Sequence, residues 1–187
     1  MDSPRQCLVA ITYTHRAADE IKERIERQGV DASRLWIGTI HSFCLEWILR
    51  PYGIYHDELK QGFSVANSND SEKLLTELCA SYRSPKVTYW DCGFYFTKDG
   101  YILTCQDSRK HAALNGILQN YFRTLSNERK IDFELMLYYA YELISKNPSI
   151  AKVLSGIFPL ILIDEYQDTK EIQYSIVSEI LAAGAGQ

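Results

Sequence analysis

The two adjacent carboxylates Asp164 and Glu165 are the residues best placed to do chemistry, because they follow directly on the apolar run Pro159-Leu160-Ile161-Leu162-Ile163. A run of this length, bounded by proline, predicts a strand buried on both faces, as in a parallel sheet. Ligands of open α/β sheets bind beyond the carboxyl ends of the strands, which is where both carboxylates fall. Such a pair suits a hard cation and a phosphorylated ligand. One carboxylate helps hold Mg²⁺, directly or through a bound water, while the other orients an attacking water. A strand followed by a solvated acidic turn has the same sequence, and on this stretch alone both readings stand.

The elements that would position these residues repeat along the chain. Leu8-Val9-Ala10-Ile11-Thr12-Tyr13-Thr14 predicts a second buried strand, after which Thr14 caps a helix beginning at His15 by accepting from its free N–H groups. Ala18, Ile21 and Ile25 share one face of that helix, and Gly29 suits the left-handed closing position. Leu35 to Phe43 forms the next strand and turn, passing into a helix with Leu45, Ile48 and Leu49 on one side and Pro51 at its end. Two strand–loop–helix units of this kind indicate a doubly wound α/β domain.

The periodicity then changes. Asn67 to Ser71 supplies capping residues for a helix through Leu74, Leu75 and Leu78. Lys98-Asp99-Gly100 is a turn signal between Phe94-Tyr95-Phe96 and Tyr101-Ile102-Leu103, which predicts a hairpin with Gly100 at positive φ. Leu114, Ile117, Leu118, Tyr121, Phe122 and Leu125 then recur at helical spacing. This middle segment reads as an insertion with its own small core, and its aromatic residues either fill that core or stack on bases. Asp132 is expected to cap a helix whose inner face is Phe133, Leu137, Tyr141 and Ile144. Asn147 and Pro148 open another, with Ile150, Val153, Leu154 and Ile157 inward. Thr169 is expected to cap a last helix through Ile172, Ile176, Val177 and Ile180.

Composition narrows the classes. With 46% hydrophobic and 24% charged residues the chain is ordinary for a soluble globular protein, and no apolar run approaches a membrane span. Five cysteines, an odd number with no C-x-x-C spacing, and a polar N-terminus read as reduced thiols in a cytoplasmic protein. The net charge of −4 is unevenly placed: residues 60–130 carry a net of +3 and the remainder −7. A basic middle in an acidic frame hints at a polyanion partner, although an excess of three charges also arises by chance.

Four stretches in series resemble the UvrD/Rep-type superfamily-1 DNA helicases. Thr12-Tyr13-Thr14-His15-Arg16-Ala17-Ala18-Asp19-Glu20-Ile21 is similar to motif Ia, usually Thr-Asn-Lys-Ala-Ala-x-Glu-Met. Gly38-Thr39-Ile40-His41-Ser42-Phe43 resembles the Gly-Thr-φ-His-Ser-φ motif. Ile163-Asp164-Glu165-Tyr166-Gln167-Asp168-Thr169, with Gln173-Tyr174 beyond, resembles motif II, a Walker B strand with an extended tail. Ile131 to Leu137 resembles the Asp-Phe-x-x-Leu-Leu helix that returns from the inserted subdomain.

The resemblance implies a partial P-loop-NTPase-like (RecA-like) parallel sheet with helices on both faces. It implies motor-domain segments at 1–58 and 128–187, interrupted by a mostly helical inserted subdomain at 59–127. It gives ATP and Mg²⁺ as cofactors, with Asp164 serving the metal, Glu165 activating the hydrolytic water and Gln167 sensing the γ-phosphate. Thr12, Thr14, His15, Arg16, Thr39 and His41 would line a single-stranded DNA track, with short polar groups reaching phosphates and sugars. His15 stands where the family usually has Asn, and Arg16 where it has Lys; both can still contact phosphate.

No Gly-x-x-x-x-Gly-Lys-[Ser/Thr] loop occurs in the sequence. The resemblance therefore reads as a fragment of an ATP-dependent helicase, translocating 3′→5′, that is inactive alone and works with the rest of a longer chain on single strands and duplex junctions. A sheet without its phosphate-loop strand is expected to leave unpaired edges and uncovered apolar faces, and so to self-associate. The alternative is a non-enzymatic helicase-like module that binds DNA or a protein without hydrolysis.

Overall fold

The computed structural model describes residues 6–164 and 169–184. In chain order the elements are β1 (Leu8–Thr12), α1 (His15–Arg27), β2 (Leu35–Thr39), α2 (Ile40–Phe43), a π-helical stretch (Cys44–Leu49) and α3 (Arg50–Tyr52). Then come β3 (Ser64–Val65), α4 (Ser68–Ala80), β4 (Phe94–Thr97), β5 (Gly100–Leu103), α5 (His111–Asn127) and β6 (Lys130–Ile131). The chain ends through α6 (Phe133–Lys146), α7 (Pro148–Ile157), β7 (Leu160–Ile163) and α8 (Glu171–Gly184). These fall into two compact units, one up to Gly53 and from Tyr139 onward, the other Ile54–Tyr138. No helix among the described residues is long and apolar enough to cross a membrane.

In the first unit the apolar runs pair as a parallel sheet in the order β2-β1-β7. This α/β arrangement is a partial RecA-like fold. Leu8 stands level with Leu35 and Leu160, and Val9 with Trp36 and Ile161. Partners in register share a face, so the two sides of the sheet can be read separately. On one side Val9, Ile11 and Ile161 are buried. The Phe43 ring meets Trp36 edge-on at 5.6 Å and Phe158 at 5.4 Å, and Trp47 stands edge-on to Phe158 at 4.9 Å. On the other side Leu8, Leu160 and Leu162 are 42%, 47% and 53% exposed. The expectation that the 159–163 run is buried on both faces is therefore corrected: β7 is an edge of the described sheet and is covered on one side.

Local chemistry explains most element ends. Thr14 takes an extended conformation and its side chain accepts from Ala17 N, starting α1. Gly29 closes that helix at φ 66°, and Gln28 N bonds back to the last turn. The charged face of α1 carries the pairs Glu20–Arg24 and Glu23–Arg27, exposed and each worth about 0.3–0.5 kcal/mol.

Three other helix expectations need correction. Pro51 does not end its helix; it lies inside α3, directly after the π-helical stretch. The wider turn relaxes the demand for an i→i−4 bond that proline cannot make. Asn147 precedes α7 but its side chain does not cap it, because its Nδ2 donates back to Leu143 O at 2.8 Å. The last helix begins at Glu171 rather than after Thr169, and Lys170 N is received by the Gln173 side chain at 3.0 Å, one half of a capping box.

The second unit packs α4 and α5 around Leu75, Leu114, Ile117, Leu118 and Leu125. The hairpin forms as expected, with Gly100 at φ 125°, and its aromatics are core rather than free faces. Phe96 stacks on Tyr138 at 4.3 Å, and Phe94 and Phe96 meet Phe122 at 5.3 and 5.7 Å. This stacking, and the parallel pairing of β3 with β6, carry the unit past 127 to Tyr138. Asp132 caps α6 as expected: Oδ1 accepts from Leu135 N at 2.8 Å and Oδ2 from the Tyr121 hydroxyl at 2.7 Å. Burial pushes both the Asp132 carboxyl and the Tyr121 hydroxyl above their ordinary ranges.

Two predicted inward residues, Phe133 and Val153, are instead 49% and 50% exposed. In α6 the buried positions are Leu135, Met136, Leu137, Ala140, Leu143 and Ile144; in α7 they are Ile150, Ala151 and Leu154. Helical spacing finds a stripe but not which of its margins is covered. Phe158→Ala should therefore lower stability by about 3–5 kcal/mol, while Val153→Ala should stay within about 0.5 kcal/mol. Urea denaturation of the two variants distinguishes these outcomes, and similar losses at both positions would contradict this core.

Candidate functional site

The ends of three strands set the site. The register places Thr12 level with Thr39 and Ile11 level with Ile163, and Asp164 N donates to Ile11 O at 2.8 Å. The chain therefore leaves β1, β2 and β7 at one level, the carboxyl edge of the sheet. A cavity of about 320 Å³ opens there. It is lined by Ile11, Thr12 and Tyr13 after β1, by Ile40 and His41 after β2, and by Ile163 and Asp164 at the end of β7. Thr169, Lys170, Gln173 and Val177 close it from the start of α8.

The turn after β1 and the start of α2 after β2 are shaped by hydroxyls. Thr12 is 2% exposed and its Oγ1 donates to Thr14 O at 2.9 Å, turning the chain out of β1. Thr14 is exposed, and its own hydroxyl is taken up by the cap of α1. Thr39 ends β2 and also caps α2: its Oγ1 accepts from Ser42 N at 3.2 Å and lies 3.0 Å from Ser42 Oγ. Gly38 is required here because the Trp36 indole lies across it, and a Cβ at that position would meet the ring at 2.6 Å. Trp36 is fixed in turn by donating from Nε1 to Glu46 at 3.1 Å. A π-helical stretch follows directly, a form often found next to functional sites.

The sequence-derived residues divide into groups. Thr12, His41 and Asp164 share the cavity. Thr39 is buried beside it, while Thr14, His15 and Arg16 are exposed where α1 begins. Glu165 and Gln167 lie outside the described residues. Tyr13, Lys170 and Gln173 line the cavity but were not singled out as functional. Tyr13 and Gln173 stand inside the quoted motif stretches, whereas for Lys170 the only signal was a lysine next to a predicted cap.

The electrostatics are mixed. Asp164 is an exposed carboxylate, and the Lys170 side chain joins the same cavity from a helix start. His15 and Arg16 occupy the first turn of α1, which contains no acidic residue. Free N–H groups already favour negative charge there, so a cation at that end is unfavourable by about 0.3–1 kcal/mol. The same combination of N–H groups and positive charge is well suited to an anion. Among the described residues no group of three or more His, Cys, Asp or Glu could hold a metal ion. A Mg²⁺ using Asp164 would take its other ligands from water and phosphate, which is how that ion is usually held.

Known proteins share this arrangement of sequence. The chain is 25% identical to the ATP-dependent DNA helicase PcrA of Staphylococcus epidermidis over 180 residues, covering 91% of this chain and 24% of that protein. The PcrA helicase of Staphylococcus aureus is 24% identical over the same length, with the same coverage. The chain thus spans about a quarter of the length of the curated relatives it matches. The model of the UvrD/REP helicase N-terminal domain matches residues 2–185, and by that match the chain belongs to the UvrD/REP helicase N-terminal domain family.

Proposed function

We propose that this chain is part of an ATP-dependent DNA helicase in which ATP hydrolysis drives 3′→5′ translocation on single-stranded DNA. The observation that carries this reading is the convergence of Asp164, Lys170 and His41 on one cavity at the carboxyl ends of three parallel strands. The unit up to Gly53 and from Tyr139 is the partial motor domain, and Ile54–Tyr138 its inserted subdomain. Mg²⁺, when bound with ATP, would neutralise charge on the phosphates. Asp164 would serve that ion through its carboxylate, and Lys170 lines the same cavity. Glu165 takes a proton from the attacking water, and Gln167 senses the γ-phosphate.

The DNA track follows the loops after β1 and β2. His15, Arg16 and the free N–H groups of the first turn of α1 face phosphate, where the dipole penalty of the Arg16 cation turns into attraction. His41 contributes from the first turn of α2, directly after β2. Thr12, Thr14 and Thr39 hold these loops in shape through hydroxyl bonds already made, and they reach the strand mainly through backbone groups. The basic excess in 60–130 is proposed to approach duplex junctions. Three of its ten basic residues pair with acids of the same segment, Arg109 with Asp107, Lys110 with Asp91 and Lys130 with Glu128, so the net of +3 rests on the other seven basic residues against four acidic ones.

Phosphoryl transfer requires charge compensation on the β- and γ-phosphates while water is held in line. This sequence carries the carboxylate side of that arrangement and no Gly-x-x-x-x-Gly-Lys-[Ser/Thr] loop. Steady-state assays of the 187-residue chain with Mg²⁺, ATP and single-stranded DNA should give background rates. In a longer protein that includes the loop, Glu165→Gln should lower turnover about 10²–10⁴-fold and leave ATP binding in place. Robust turnover by the chain alone, or normal turnover by the Glu165→Gln protein, would contradict the assignment.

The exposed apolar side of the sheet bears on partners. Leu8, Leu160 and Leu162 are exposed on one side of the sheet, beside a strand edge that pairs with no other strand among the described residues, a combination that favours association. The isolated chain should show a mass in light scattering that rises with concentration, and Leu160→Lys with Leu162→Lys should suppress the rise. A monomer at every concentration would remove this proposal.

A further inference from the structure

In the second unit two thiols that no motif explains meet in the core. Cys79 lies in the last turn of α4, and Cys92 follows the turn that carries Trp90. Their Sγ atoms are 3.3 Å apart, and the residues are 4% and 2% exposed. A disulfide bond is about 2.05 Å long, so roughly 1 Å of approach separates this contact from a covalent one. Cys92 also borders an open cavity of about 350 Å³ between Tyr89, Phe94 and Phe133. Cys92 lines this cavity and Cys79 does not, so a small molecule entering there reaches Cys92 before Cys79.

We propose that Cys79 and Cys92 are a modification site, a dithiol that hydrogen peroxide entering through this cavity converts to a disulfide. The Cys92 thiolate attacks one peroxide oxygen and the O–O bond breaks. The departing hydroxide takes up a proton and leaves as water, and Cys92 becomes a sulfenic acid. The Cys79 sulfur then attacks Cys92 Sγ, forming the S–S bond as the S–O bond breaks. The second water leaves with the Cys79 proton. The dithiol loses two electrons and one peroxide is reduced to two waters; a small dithiol reverses the change.

The surroundings set the pace. Burial, with Cys79, Asp91 and Cys105 as neighbours that all disfavour negative charge, pushes the Cys92 thiol up to about 12. Little thiolate exists at neutral pH, so oxidation is slow and accelerates about tenfold per pH unit between 7 and 9, as the thiolate fraction does. Lys110 offers no relief because its ammonium is engaged by Asp91 at 2.7 Å. The bond would tie α4 to the Trp90 turn through a short loop and raise the unfolding temperature of this unit.

The test is peroxide treatment of the 187-residue chain, followed by alkylation after denaturation and peptide mapping by mass spectrometry. The expected result is a loss of two of the five titratable thiols, a cross-linked peptide pair containing Cys79 and Cys92, and full recovery with dithiothreitol. Cys105→Ser should leave that cross-link unchanged. Five alkylated thiols after treatment, a bond from Cys105 to either partner, or Cys92 over-oxidised without a cross-link would each overturn the proposal. Because mapping is done on the unaltered chain, the result does not depend on a variant that folds.

Discussion

The candidate site depends on the register in which β1 lies between β2 and β7. Five residues of β1 pair with β2, and four of them pair also with β7. A slip of one residue would turn Val9, Ile11 and Ile161 outward and separate Thr12 from Thr39. Each buried aliphatic side chain contributes about 1.5–3 kcal/mol, whereas each loop hydroxyl bond contributes about 1 kcal/mol. The core therefore decides the register, and the loops that carry Tyr13, His41 and Asp164 follow from it. The site is a consequence of packing some residues away, held by Val9, Phe43 and Phe158 rather than by its own polar groups.

What the sequence made legible was the chemistry of ends. Thr14, Asn67 and Asp132 cap helices, and Gly29 and Gly100 take positive φ, because these positions depend on one residue and its nearest neighbours. What it hid was coverage. The run 159–163 is apolar throughout, yet only the side carrying Ile161 is covered; nothing in five residues says whether a sheet face has a partner. Phe133 and Val153 failed for the same reason at the margins of helical stripes. Pro51 was misread because a π-helical stretch depends on packing around Ile48 and Leu49, which leaves no pattern in the sequence. Of the candidate site, Asp164 is legible from the apolar run that it follows, and Thr12 and His41 only through motif resemblance. Lys170 was missed because a single lysine carries no signal until a strand end is placed beside it.

Geometry shows which charges of the second unit hold its own structure. The turn at 89–91 is fixed by Asp91, which accepts from Thr88 N at 2.9 Å and pairs with Lys110 at 2.7 Å. The Lys110 ammonium holds the Asp91 carboxyl below its ordinary range. A depressed carboxyl contributes stability that is present above its unfolded pKa near 4 and is lost as pH falls through the folded value. Lys110 therefore belongs to the architecture of the unit, not to a free basic surface. Arg109 is likewise forked onto Asp107, and the segment's net of +3, which already counts both acids, rests on its other basic residues. By the proposed function, the segments after β1 and β2, which line the cavity shared with Asp164, rank above the second unit as the place for a single strand.

Amide hydrogen exchange of the chain, with and without a duplex bearing a 3′ single-stranded tail, tests that ranking most directly. The account predicts slowed exchange at residues 13–17 and 40–42, weakening as salt is raised because phosphate contacts displace counterions. Slowed exchange confined to 54–138, or no change anywhere at DNA concentrations that saturate binding, would contradict it.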